Sequence, residues 1–170
     1  MKHDSSSSRR AGSRIITNLS LLHGVTASTK ILTCGGEKPA AHLKTSDRII
    51  TRDHGALPLV ATISRTPNAP QYMIRIPANA FGCGRPACDM DVLPDQPIVV
   101  RDWRAMVLYG RTQARVAASR LIDGRVVCGS TRDAQRMIAL HFTTPSVIYA
   151  NGLELLSAGL CLDPVPDQRS

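Results

Sequence analysis

Short apolar runs cut off by turn residues limit this chain more than any other feature of its sequence. Thr29 to Thr33 stops at Gly35-Gly36, Arg48 to Arg52 at Asp53-His54-Gly55, Leu57 to Ser64 at Pro67-Asn68-Ala69-Pro70, and Tyr72 to Ile76 at Pro77. The runs at 98–101, 104–109, 113–117, 121–122, 126–128, 136–142, 147–150 and 153–156 continue the series. No window of about 12 residues carries a 3.6-residue apolar period bounded by caps, so long amphipathic helices are not expected. In Tyr72-Met73-Ile74-Arg75-Ile76 the period is two, which puts Tyr72, Ile74 and Ile76 on one face of a strand. Asp123-Gly124 and Asn151-Gly152 lie between β-prone runs. Each predicts a two-residue hairpin turn, where both central positions need positive φ. Ala117, Ala118 and Leu121 fall at helical spacing, so one or two helical turns are expected within 114–121. Many short strands at close spacing predict an all-β fold with compact or barrel-like closure.

The length of 170 residues suits one domain with a real core. Residues 1–23 read as a flexible, basic, Ser-rich leader, 24–159 as the domain, and 160–170 as a short tail broken by Pro164 and Pro166. No apolar run approaches the roughly 20 residues needed to span a bilayer. Thr17, Asn18, Ser20 and His23 interrupt the mildly apolar stretch 15–25, so a cleaved secretory signal is not expected. A cytoplasmic location is favoured, with export left open.

The formal charge is +8. Eight arginines between Arg101 and Arg136 face only Asp102, Asp123 and Asp133, so much of the basic character belongs to the second half of the domain. A basic face including Arg101, Arg104, Arg111 and Arg115 points to an anionic partner of unknown identity. Nucleic acid is one alternative, and the scarcity of aromatics for base stacking weighs against it.

The five cysteines, Cys34, Cys83, Cys88, Cys128 and Cys161, are odd in number and do not describe a disulfide scaffold. Cys83 and Cys88 would make half of a zinc site, but a second close pair is missing, so no metal and no cofactor is expected. Asp89, Asp91 and Asp95 read as a solvated strand edge rather than a Ca²⁺ loop, which would carry a glycine among its acids. No Gly-x-Ser-x-Gly turn supports a hydrolase built on Ser146, His141 and Asp102. Trp103 reads as a core residue, the alternative being an exposed interface anchor flanked by arginines.

Three stretches, taken in order, resemble the bacterial form of the Hint (hedgehog/intein) domain. Residues 24–33 (Gly-Val-Thr-Ala-Ser-Thr-Lys-Ile-Leu-Thr) lead through Gly36 to Leu43 and the strand-like 48–52. Residues 74–82 are followed by Met90-Asp91-Val92-Leu93-Pro94-Asp95-Gln96-Pro97, like the family's Thr/Ser-Pro-x-His segment. Residues 117–126, then 138–142 and Val147-Ile148-Tyr149-Ala150-Asn151-Gly152, look like its closing segments. The resemblance covers about 24–158 and implies a compact horseshoe-like disc of strands, in agreement with the strand pattern.

It also implies a chemistry. Hint domains break the peptide bond before their first residue, a Cys or Ser that attacks the preceding carbonyl. A histidine of the Thr-x-x-His motif polarises that amide and protonates the leaving nitrogen, while the Thr orients the peptide. In this chain the nucleophile position aligns with Gly24, the Thr position with Leu93 and the His position with Gln96. A second polar cluster of bacterial relatives, Asp-Arg-His-Glu, aligns with Thr143-Thr144-Pro145-Ser146. The resemblance thus implies a degenerate domain without autoproteolysis, a binding or structural module with no functional catalytic residue. The alternative is self-processing through a displaced nucleophile, Ser28 or Cys34.

Overall fold

Fifteen strands, one short α-helix and two 3-10 turns follow one another in a computed structural model that describes residues 23–159. The expected leader up to residue 22 and the expected tail, with Cys161, lie outside the described residues.

The strands form two sheets. The first contains β1 (Val25–Thr26), β6 (Ala61–Arg65), β7 (Gln71–Ile76), β8 (Met90–Val92), β11 (Cys128–Arg132), β12 (Met137–Phe142) and β15 (Ala158–Gly159). It runs in the order β11-β7-β8-β1-β12-β15, with β6 also paired to β12. The second contains β2 (Lys30–Thr33), β3 (Gly36–Pro39), β4 (Arg48–Thr51), β5 (Gly55–Pro58), β9 (Pro97–Val100), β10 (Ala114–Ala117), β13 (Val147–Ala150) and β14 (Leu153–Leu156). Its order is β10-β9-β14-β13-β2-β4-β5, with β3 on β2. All pairings among the described residues are antiparallel except β12 with β15. The short strands are ended by glycine, proline and aspartate, as expected of an all-β chain.

One core joins the sheets. Ile74, Ile76 and Val92 of the first sheet and Ile31, Ile49, Ile98 and Leu155 of the second are fully buried, with Phe142. Burying side chains of this size stabilises by about 1.5–3 kcal/mol each before entropy is charged against it. The shared face of β7 buries Ile74 and Ile76. Tyr72 shares that face, as its position across Gly129 of β11 shows, but it is half exposed there and fills the space a side chain at Gly129 would need.

The Asn151-Gly152 turn joins β13 to β14 as expected, with φ of 48° and 78°. Asp123-Gly124 does not make a hairpin. Asp123 Oδ1 accepts the backbone N–H groups of Arg125, Val126 and Val127 at 2.9, 2.7 and 3.0 Å. A carboxylate that gathers three successive N–H groups closes a loop on itself and leaves none of them for a ladder. The expected helical turns within 114–121 divide into strand β10 and a 3-10 turn over Ala118–Leu121.

The run Arg104–Tyr109 is not a strand but most of helix α1 (Trp103–Tyr109). Asp102 caps its N-terminus by accepting the Arg104 N–H at 3.0 Å, and Gly110 closes its end with φ 63°. That cap pair outweighs the β propensity of one valine.

The same three N–H bonds, Arg125 first, together with the Arg104 charge, hold the Asp123 carboxyl below its usual range. A depressed folded pKa gives stability that is present above the unfolded value, about pH 4, and is lost as pH falls through the lower folded one. Asp123→Ala is therefore expected to cost about 1 kcal/mol at neutral pH, because the group is solvent-screened. The variant should also lose less stability than the parent on acidification, read from thermal melts between about pH 5 and pH 2.

Candidate functional site

Gly24 and Gln96 meet at a small cleft near the middle of the first sheet. The short strand β1 brings Gly24 there because Val25 is held on both sides, by Val92 of β8 and Ile138 of β12. Gln96 arrives on the turn between β8 and β9, where its own N–H bonds Leu93 O at 3.1 Å. Its side chain is 2% exposed. Oε1 accepts the Gly24 N–H at 2.9 Å, and Nε2 donates to Leu156 O at 2.9 Å and Pro97 O at 3.2 Å. One N–H on one side and two carbonyls on the other fix which way the amide points. His23, Ile138, Leu155, Ser157 and Ala158 are among the residues that line it with them.

Leu93 stands apart in chemistry though not in register. Continuing the antiparallel pairing of Val25 with Val92 by one position sets Gly24 opposite Leu93. The Leu93 side chain packs with Met73 and Met137 in a separate small cluster and does not line the cleft. Ser28 and Cys34 do not line it either. Ser28 is exposed beyond β1 with its Oγ 3.4 Å from Thr26 Oγ1, and Cys34 is exposed in the β2–β3 turn.

A polar chain behind the cleft escaped the sequence reading. Ser157 Oγ accepts the Ser146 N–H at 2.9 Å, and the Ser157 N–H returns a bond to Ser146 O at 2.9 Å. Ser146 Oγ donates to Thr144 O at 3.0 Å and lies 3.4 Å from His54 Nδ1. Asp53 Oδ1 is 3.3 Å from that same nitrogen. A hydrolytic triad needs its serine and its acid on opposite ring nitrogens. Here both share Nδ1, and the hydroxyl proton is already committed to a carbonyl, so the cluster ties β13 to the β4–β5 turn. Asp102 is the helix cap described above, away from Ser146. No periodicity or motif marks Ser157 or His54; their signal is purely tertiary.

Asp89 and Asp91 form a charge network rather than a solvated strand edge, since β8 lies between β7 and β1 and Asp91 is buried. Arg75 donates to Asp89 Oδ2 at 2.9 Å and to Asp91 Oδ2 at 3.1 Å, and Arg132 Nε lies 3.7 Å from Asp91 Oδ1. The Ala78 N–H and the Arg75 guanidinium hold the Asp89 carboxyl below its usual range. No group of three His, Cys, Asp or Glu side chains among the described residues is arranged to hold a metal ion.

The expected basic face divides in two. Arg101 pairs with the buried Glu154, which Arg52 also approaches at 3.3 Å. Arg104 pairs with Asp102, its guanidinium 5.1 Å from the ring centroids of both Phe81 and Trp103. Arg111 and Arg115 are exposed and have no acidic partner among the described residues. Trp103 is not in the core: it is 65% exposed. Its position at the start of a helix that buries only Ala105 leaves the indole outside.

Comparison with known proteins adds the family context. Residues 24–158 match the family described as Hint domain. The solution structure of a bacterial intein-like domain from Clostridium thermocellum is similar, with TM-score 0.53 at 15% identity, over 80% of this chain and 99% of that one. The gp41-1 intein is similar at TM-score 0.52 and 10% identity, over 78% of this chain and 96% of that one. A splice-inactive variant of the AceL NrdHF class 3 split intein matches at 0.52 and 12%, over 80% and 97%. At these identities the structural likeness speaks for the fold. No curated protein matches the chain.

Proposed function

We propose, from the premise that this chain belongs to the Hint domain family, that its domain leaves its own backbone uncut and serves as a binding or structural module. The observation that carries the reading is the 2.9 Å bond from the Gly24 N–H to Gln96 Oε1. Cleavage before residue 24 would need a nucleophile at that residue and a proton donor at the nitrogen it releases. Glycine has no atom to attack the His23 carbonyl. Gln96 presents an acceptor to that nitrogen, and its N–H groups are held by Pro97 O and Leu156 O. An amide also does not titrate near neutral pH, so it cannot alternate between the two roles. Groups of this kind act as a unit, and replacing both removes the reaction rather than slowing it.

Intact-mass analysis of the purified full chain, with and without prolonged incubation in a small thiol, tests this. A single full-length mass is expected in both conditions. A fragment beginning at Gly24, or a thiol-dependent cut nearby, would overturn the reading.

A further inference from the structure

The surface around α1 combines two features that rarely coincide by chance. Six of the eight large apolar side chains exposed among the described residues fall between residues 103 and 126. On the helix these are Trp103, Met106, Val107 and Leu108, exposed by 65, 54, 69 and 57%. Ile122 and Val126 stand on the adjoining loop, whose Asp123 is close enough to feel the Arg104 charge. Exposed apolar groups gathered in one place call for a partner.

Charge and shape say which kind. Asp102 is neutralised by Arg104, and Asp123 is occupied by three backbone N–H groups. Arg111, whose N–H bonds Ala105 O of the helix at 3.2 Å, and Arg115 on β10 have no acidic partner among the described residues. The patch is therefore apolar at its tip and cationic at its side. Trp103, Met106 and Val107 fall at positions i, i+3 and i+4 and share one face of the helix, with Leu108 about 100° beyond Val107. An apolar face flanked by arginines suits a bilayer surface, where a helix lying in the plane buries that face at the acyl boundary and keeps its cations among the headgroups. A tryptophan at the rim suits the boundary between headgroups and acyl chains.

We propose that α1 is a membrane-surface anchor: Trp103, Met106, Val107 and Leu108 enter the outer acyl layer of an anionic bilayer while Arg111 and Arg115 meet its headgroup phosphates. The helix is far too short to cross a bilayer, and among the described residues no helix is long and apolar enough to do so. The anchor lies on the surface and does not span.

Trp103 is the only tryptophan in the chain, so intrinsic fluorescence reads the site directly. With the full chain, vesicles of phosphatidylcholine containing about one-third phosphatidylglycerol are expected to blue-shift its emission and to bind about tenfold or more tighter than pure phosphatidylcholine vesicles. Val107→Ser with Leu108→Ser should abolish the shift, and Arg111→Gln with Arg115→Gln should erase the preference for anionic vesicles. These side chains are exposed, and a thermal melt like the parent's confirms that each variant is folded.

Vesicle binding with an unshifted Trp103, or no binding at all, would overturn the proposal. So would a blue shift in the absence of lipid that follows dimer formation on gel filtration, since a second copy would then cover the patch. An equal shift with soluble polyglutamate would assign the surface to an acidic protein instead.

Discussion

Gln96→Leu is expected to lower the unfolding free energy by about 2–4 kcal/mol, although leucine is the more apolar side chain and of similar size. The side chain is buried and joins three backbone groups: the Gly24 N–H, the Leu156 carbonyl and the Pro97 carbonyl. Leucine would leave the first two without a partner, and an orphaned buried donor or acceptor costs about 1–3 kcal/mol. Loss of the bond to Gly24 would also loosen β1, two residues long and placed at the centre of its sheet. Urea titration followed by far-UV circular dichroism measures the change. An unaltered midpoint would mean that water takes over both backbone groups, and that the glutamine does not hold the cleft together.

Gly152→Ala is expected to be comparably damaging, at about 2–4 kcal/mol, for a different reason. Gly152 has φ +78°, where an L side chain is strained, and a Cβ there would sit 2.5 Å from the Gly84 carbonyl oxygen. That oxygen belongs to backbone pinned against the same hairpin, because Ala87 donates its N–H to Asn151 O at 2.7 Å. Gly124→Ala is the control. Gly124 shares the positive φ, at +71°, but nothing lies within 4 Å of its missing Cβ. Only the conformational penalty of about 1 kcal/mol is expected there. Equal losses for the two variants would show that the approach of Gly84 relaxes freely.

Local chemistry encodes part of this fold, and only assembly decides the rest. Alternation and turn residues were sufficient for β7 and the Asn151-Gly152 hairpin, and a short apolar run for β12, since each depends on neighbours a few positions away. They misread Arg104–Tyr109, because a two-turn helix is too short for a period to develop. Its true signs were Asp102 and Gly110, one cap at each end. Hydrophobicity alone placed Trp103 inside, although a helix that buries only Ala105 leaves no core for it. At the cleft, the positions of Gly24 and Gln96 came from motif order, and the structure puts them in contact. The separate burial of Leu93 with Met73 and Met137, and the Ser157–Ser146–His54 chain, depend on strands far apart in sequence. No local pattern carries them.

The way β1 is seated also governs when the domain can form. Val25 pairs with Ile138 of β12, and Ile31 of β2 pairs with Ala150 of β13, so the earliest strands find partners among the last. During synthesis both sheets stay unfinished until those late strands have left the ribosome, and their closure carries the loop entropy of nearly the whole domain. Slow folding is the expected result, and a nascent chain halted before Ile138 holds Val25 without one of its two neighbours.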